Sequence, residues 1–362
     1  MSKEYVRNLE EELVNPMKVV ASAPGKIILT GEHAVVYGRM GIATTIDKRA
    51  YVEVEKAKDG LVTVESKVFG KHSMGENEIK EAIDELDNLR AGEEFGKIVE
   101  LAGSNPILPI YTVAWKVMGD EYTPLRIGID SNIPKNAGGS SAINDSVALG
   151  ISKLIGMDLT IDEVARLGNE GDKVAHGKAS GIDAYTVAYG YWTTYMAHEG
   201  VRKLDMDLKL PLILVESGEK ARTGETVDYV KELRRNDPAS VDSVFDGLHE
   251  ITVALVGALK AGSVVRIGEL FVDYREELRK LGGKLYTPGL ERICQIAEEN
   301  NAYAKPTGGW GGGTCIAVAP VEGELENLIG IYKKEGFTAY KTKLGVEGVR
   351  IESVNDSLNY IY

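Results

Sequence analysis

Two carboxylates, Asp172 and Asp183, stand eleven residues apart, and a lysine, Lys26, lies far upstream beside a glycine. Ser180-Gly181 presents Asp183 from a tight turn after a helix, where its carboxylate can accept or orient the proton of an attacking hydroxyl. Lys26, next to Gly25 and flanking a strand, can place an ammonium that favours the alkoxide and neutralises phosphoryl oxygens. Asp172, late in the preceding helix, has the chemistry of a magnesium ligand; that ion takes one or two carboxylates beside phosphate oxygens and a hydroxyl. Each of these residues, taken singly, is also what a solvated surface or a helix cap supplies.

A candidate partner for them lies between Pro134 and Leu149. Gly138 and Gly139 free the backbone to turn its N–H groups outward. Ser140 and Ser141 are N-cap types, and Ile143, Val147, Ile151 and Ile155 then recur every four positions, as on one buried helix face. A glycine turn feeding a helix N-terminus is an anion site, although an ordinary strand-to-helix turn shares these features. Asp145, early in that helix, repels a phosphate unless it points away or helps to hold a cation.

Two further stretches are hard to explain as packing. Ala23-Pro24-Gly25-Lys26 is followed by Gly31-Glu32-His33-Ala34-Val35-Val36-Tyr37-Gly38. Lys305-Pro306-Thr307-Gly308-Gly309-Trp310-Gly311-Gly312-Gly313-Thr314 holds five glycines in six positions, which lets backbone approach another loop or a phosphate closely. A Walker lysine motif is absent, which excludes a P-loop enzyme. His72, His176, His198 and His249 have no zinc-like spacing.

The elements that must position these groups belong to a chain of 362 residues, enough for about two domains. A net charge of −13 argues against nucleic acid and anionic membranes as partners and leaves a small-molecule substrate. Cys294 and Cys315 make no disulfide framework, the first residues are charged, and no apolar run reaches membrane-spanning length, so the chain reads as cytoplasmic. A homodimer is compatible with this composition. A charged helix is expected over residues 3–14. Strands are expected at Lys18–Ser22, broken by Pro24-Gly25 and resuming at Ile27, and at Ala50–Lys56, Leu61–Ser66 and Leu125–Ser131. Met74–Glu100 reads as exposed helix and loop, Ile107–Met118 as a buried helix, Ile161–Ala175 as a helix with Asp162 and Glu163 in its first turn, and Tyr185–Met196 as β-prone. A linker near Glu199–Asp207 divides the chain into an N-terminal domain, 1–205, and a C-terminal domain, 206–362. The latter runs strand Leu210–Glu216, helices Thr223–Arg235, Ala239–Ala261 and Pro288–Asn300, strand Cys315–Ala319, helix Leu325–Glu335 and closing strands, an α+β order.

The three motif stretches, in this order and spanning Ala21 to Cys315, resemble those of the GHMP kinases, named after galactokinase, homoserine kinase, mevalonate kinase and phosphomevalonate kinase. Ala23–Lys26, Gly31–Gly38 and His176–Asp183 are most similar to the mevalonate kinase group, as is Arg222-Thr223 ahead of Val227 and Val230. The resemblance implies an α+β fold of two domains, the N-terminal one like the second domain of ribosomal protein S5 and the C-terminal one ferredoxin-like, with ATP and acceptor in the cleft between them. It implies Asp183 as the catalytic aspartate with Lys26 as its partner, Ser141 and Asp172 as magnesium ligands, and Gly138, Gly139, Ser140 and Ser141 around the ATP phosphates. His33, Arg222, Thr223 and Gly309 would line the acceptor site.

The implied activity is ATP-dependent phosphorylation of the C5 hydroxyl of mevalonate in isoprenoid precursor biosynthesis. The alternatives are a kinase acting on a phosphorylated mevalonate, either mevalonate 3-phosphate or 5-phosphomevalonate, and a catalytically silent metabolite-binding relative. Ala137-Gly138-Gly139-Ser140-Ser141 departs from the family's Gly-Leu-Gly-Ser-Ser, and Asp172 stands where the family has Glu. Trp310 replaces a glycine, where its ring would narrow the cleft or stack on something. Pro306 is more like the phosphomevalonate kinases. The loop changes favour a phosphorylated acceptor, with Lys135, Lys178 and Arg222 as its candidate cations, and the first motif favours mevalonate.

Overall fold

The computed structural model of the chain describes residues 17–220, 223–321 and 323–355. The expected helix over residues 3–14 and the expected acceptor residue Arg222 lie outside the described residues. The first elements in chain order are β1 (Lys18–Thr30), β2 (Gly41–Lys56), β3 (Leu61–Ser66), β4 (Gly70–Gly75), α1 (Glu76–Ala91), α2 (Phe95–Ser104), α3 (Leu108–Met118) and β5 (Leu125–Ser131). Helices α4 (Gly139–Leu154), α5 (Ile161–His176) and α6 (Ile182–Tyr189) follow, then β6 (Trp192–Met196), β7 (Gly200–Lys203) and β8 (Pro211–Glu216). The last part holds α7 (Thr223–Asn236), α8 (Pro238–Lys260), α9 (Val264–Arg279), α10 (Pro288–Glu299), β9 (Tyr303–Thr307), β10 (Thr314–Val318), α11 (Glu324–Lys334), β11 (Thr338–Lys343) and β12 (Arg350–Val354).

These elements form two compact units of α+β structure. The first takes the chain up to Lys26, Lys48–Gly190 and the chain from Glu347; the second takes Ile27–Asp47 and Tyr191–Val346. Whereas the sequence reading divides the chain once, near residue 205, these units divide it inside β1 and inside β2. At 13 and 16 residues both strands are long enough to run through the two units.

In the first unit the strands follow the order β12-β1-β2-β5-β3-β4. Along β2, Ala50, Val52 and Val54 are buried while Tyr51, Glu53 and Glu55 are half-buried, the period of two that a one-faced strand requires. β3 pairs parallel with β5, so the chain between them must cross over, and it does so through β4 and helices α1–α3. One core collects Val52, Val64 and Ile127 from the strands with Ile83, Val113, Val147, Val164 and Val187 from the helices. α5 opens on a capping box in which Thr160 accepts from the Glu163 N–H and the Glu163 side chain accepts from the Thr160 N–H.

Two local expectations give way here. β1 is unbroken through Pro24-Gly25. Its pairing with β12 covers only Val19–Ser22, so Pro24 lies beyond that ladder, and the Lys26 N–H goes to the Ala137 carbonyl. The β-prone run beginning at Tyr185 is helical to Tyr189. Gly181, at φ 89°, caps that helix, and Ala184, Val187 and Ala188 are buried on it, so burial overrides the β preference of Tyr185, Thr186 and Val187.

In the second unit β6 pairs with Gly41–Thr44 of β2 and with β7. A separate antiparallel sheet has the order β11-β8-β10-β9. Taken along the chain this is strand, helices, two strands, helix and strand, with the fourth strand beside the first and the first beside the third: the ferredoxin-like arrangement. Ile293, Leu328 and Tyr332 of α10 and α11 pack on Ile213, Val215 and Ala317 of this sheet. α9 is additional to the elements read from the sequence; Ile267, Leu270, Phe271, Tyr274 and Leu278, spaced by three and four and all buried, carry its signal. Among the described residues no helix is long and apolar enough to cross a membrane.

Candidate active site

Gly138 is the residue on which the first unit's polar cluster turns. It caps α4 in the left-handed region at φ 76°, and a Cβ there would lie 2.7 Å from Lys26 Cγ. The Lys26 N–H donates to the Ala137 carbonyl at 2.8 Å, so the glycine turn rests directly on the lysine. Lys26 is buried, and its Nζ reaches Asp183 Oδ1 at 2.7 Å. Asp183, in the first turn of α6, keeps 38% of its side-chain surface exposed, so the ion pair has one open side. Gly138, Gly139, Ser140 and Ser141 lie at the start of α4, a sixteen-residue helix whose first N–H groups, as at any helix N-terminus, have no partner within the helix.

Asp172 lies behind this turn. Its Oδ2 accepts from Ser141 Oγ at 2.5 Å, and its Oδ1 accepts from Asn144 Nδ2 at 3.1 Å and from Ser140 Oγ at 3.3 Å. Burial, with the nearby Asp183 charge adding, pushes its carboxyl up to about 6 against the downward pull of the Ser141 and Asn144 hydrogen bonds. Two serine hydroxyls and one carboxylate form a hard-oxygen donor set of the kind that magnesium takes. Among the described residues no group of three or more His, Cys, Asp or Glu gathers to hold a metal.

The α4–α5 contact explains the composition of both helices. A Cβ on Gly171 would lie 2.5 Å from Asn144 Nδ2, and one on Gly168 would lie 1.8 Å from Asp145 Oδ1. α5 therefore offers two notches that receive polar side chains of α4. Asp145 points into the Gly168 notch rather than toward the glycine turn, which removes its conflict with a bound anion. It is fully buried, and burial together with the Asp172 charge pushes its carboxyl well above the usual range.

The second unit assembles a different cluster. His33, at φ 62°, is buried and places Nε2 3.2 Å from the Gly309 carbonyl. That carbonyl also accepts from Thr226 Oγ1 at 2.7 Å. Burial lowers the His33 imidazole to about 4, so it is neutral at pH 7, and its partner places the hydrogen on Nε2. His33 and Gly309, two of the residues expected at an acceptor, are thus brought together. Thr223 opens α7, with its side chain outside the described residues, as is Arg222. The hydroxyl on the glycine loop comes from Thr226, one turn further along; its spacing of three from Thr223 is the signal that could have found it.

Trp310 does not line an opening. It is fully buried, at φ 61°, and meets Tyr286 edge to face with ring centroids 4.8 Å apart. Its indole fills a core with Ala34, Phe245, Leu278 and Leu285, so of the two roles expected for the ring it takes the stacking one, inside the protein. Of the candidate cations, Lys135 is exposed and Lys178 sits 4.1 Å over the Phe95 ring.

Comparison with known proteins adds a lineage to this geometry. Residues 109–191 match the family described as the GHMP kinases N terminal domain. The chain is 32% identical over 348 residues to a mevalonate kinase of Thermococcus sibiricus, covering 93% of this chain and 99% of that one. It is 32% identical over 351 residues to a mevalonate kinase of Pyrococcus furiosus, again covering 93% and 99%. The crystal structure of the Methanococcus jannaschii mevalonate kinase aligns with a TM-score of 0.73 at 25% identity, over 91% of this chain and 98% of that one.

Proposed function

The chain belongs to the mevalonate kinase family of the GHMP kinases, and on that premise we propose that it transfers the γ-phosphoryl group of ATP to the C5 hydroxyl of mevalonate. The observation that carries this reading is the Lys26–Asp183 pair, 2.7 Å long and open on one side, together with the N-terminus of α4, which has no side-chain cap. Asp183 orients the attacking hydroxyl and takes its proton, and Lys26 stabilises the oxyanion that results. The backbone N–H groups from Gly138 to Ser141 hold the phosphates, where the helix dipole adds to their attraction. Ser141 and Asp172 would hold a magnesium ion, whose charge would offset that of the phosphate oxygens. His33 and Gly309, with Thr226 added, form the acceptor wall, to which the motif resemblance adds Arg222 and Thr223. Two free, buried cysteines fit a cytoplasmic protein.

The second reading is a phosphorylated mevalonate as acceptor, which the loop changes at Ala137–Ser141 and Pro306 support. A cavity of about 520 Å³ in the second unit is lined by Thr226, Gly311, Lys220 and Lys284, but Glu219 and Glu225 line it too and offset the two ammonium groups, so its charge adds nothing for an additional phosphate. ADP release from MgATP with mevalonate, mevalonate 3-phosphate, 5-phosphomevalonate and galactose separates the readings. Turnover with mevalonate is the expected result, and turnover only with a phosphorylated acceptor would replace it. Asp183→Ala should lower kcat by about 10²–10⁴-fold while the protein stays folded and binds ATP. A fully active variant would remove Asp183 from its role.

A further inference from the structure

The first and third motif stretches meet in the second unit through a pair of residues to which neither the chemistry nor the family comparison assigns a task. Lys305, on β9, is fully buried, and its Nζ donates to Glu32 Oε1 at 2.7 Å and to the Leu29 carbonyl at 2.7 Å. The Glu32 side chain is 1% exposed. The Tyr274 ring, 5.1 Å from the ammonium, packs against it, and its hydroxyl accepts from the Gly31 N–H at 2.7 Å. Thr307 Oγ1 donates to the Ile28 carbonyl at 2.5 Å. Residues 28, 29, 31 and 32 are therefore each tied to β9 or α9, and the next residue is His33 in its left-handed conformation. Gly31 leaves no freedom either, since a Cβ there would come within 2.4 Å of Gly41 Cα.

A fully buried ion pair is a poor way to gain stability, because removing both charges from water offsets most of their attraction. It is a good way to fix one arrangement, since any shift of the loop leaves a charge buried and unpaired. We infer that Glu32 and Lys305 are a positioning pair, holding His33 and the Gly309 loop in the geometry that binds the acceptor. The inference rests on the reading of His33 and Gly309 as the acceptor wall. It assigns the pair to acceptor affinity and not to nucleotide affinity, because the glycine turn and the Lys26–Asp183 pair belong to the other unit.

The test replaces both charges at once, as Glu32→Gln with Lys305→Met, so that no unpaired charge is left in the core. Kinetics are read with mevalonate and MgATP, and the His33 ring is titrated by NMR in ¹³C-histidine-labelled protein without any acceptor. The expected result is a folded protein with KM for mevalonate raised at least tenfold, KM for ATP within twofold of the parent, and His33 titrating above about 4 and toward 6.5. A folded double variant with both the mevalonate KM and the His33 titration unchanged overturns the inference. If the double variant does not fold, Glu32→Gln alone, which keeps a hydrogen-bond acceptor for Lys305, is read in the same way, with at least a threefold rise in mevalonate KM expected and an unchanged value overturning the assignment. The NMR titration involves no substrate, so it separates failure of the positioning pair from failure of mevalonate as acceptor.

Discussion

Protonation of His33 opposes folding, and the cost follows from its surroundings. The imidazole titrates at about 4 in the folded chain, against 6.5 for a free histidine, because burial penalises its charged form. A base whose folded pKa is depressed contributes stability that is complete above 6.5 and is lost as pH falls toward 4. The gap of about 2.5 pH units, at 1.36 kcal/mol each, puts the full loss at about 3 kcal/mol, of which about 2 kcal/mol is gone by pH 5. His33→Gln removes the titration and keeps an amide N–H that can donate to the Gly309 carbonyl where Nε2 does now. Equilibrium urea unfolding of parent and variant from pH 5 to pH 7.5 isolates the effect, since every other titrating group is common to both. The parent should lose about 2 kcal/mol more than His33→Gln across that range. Parallel curves would show that the ring is solvated or already charged in the folded protein, and the burial argument would fail.

Four more outcomes follow from the same geometry. Asp172 must be ionised to hold a cation, so magnesium affinity measured by calorimetry should fall about tenfold per pH unit below about 6 and level off above pH 7. The stability effect has the opposite sense to that of His33: a carboxyl raised to about 6 contributes stability that is complete below the ordinary 3.8 and is lost as pH rises through 6, so metal-free Asp172→Asn should gain on the parent between about pH 4 and pH 6 and run parallel to it above pH 7. Gly138→Ala should lower kcat at least tenfold with the fold retained, since its methyl would stand 2.7 Å from Lys26 Cγ and the left-handed backbone adds about 1–2 kcal/mol of strain; unchanged kcat would mean that the lysine is not held by the turn. Trp310→Ala should cost about 3–5 kcal/mol in urea unfolding, as loss of a fully buried ring does, whereas a change in activity without a change in stability would place the ring at a ligand.

What the sequence determined by itself is what neighbouring residues dictate. Thr160 and Glu163 set the start of α5, the alternation at Ala50–Lys56 and Leu125–Ser131 sets two strands, and Gly138-Gly139 ahead of a four-residue apolar repeat sets the turn that feeds α4. The chemistry of Lys26, Asp172 and Asp183 was legible from residue type, and their meeting was implied by the motif resemblance. Tertiary structure decided the rest. The strand continues through Pro24 beyond its ladder with β12, and just past the proline the Lys26 N–H bonds to Ala137, a residue more than a hundred positions away. The run from Tyr185 to Tyr189 is a helix because it is buried against other helices, and Trp310 lies inside because Tyr286 and Phe245 enclose it. Asp145 fits its helix only because Gly168, on another helix, lacks a side chain. Glu32 and Lys305 are 273 residues apart, and no period or propensity marks two residues at that distance as partners. Hydrogen bonds and propensities act between near neighbours and leave a local pattern, whereas the burial of a charge is decided by whatever the fold packs around it.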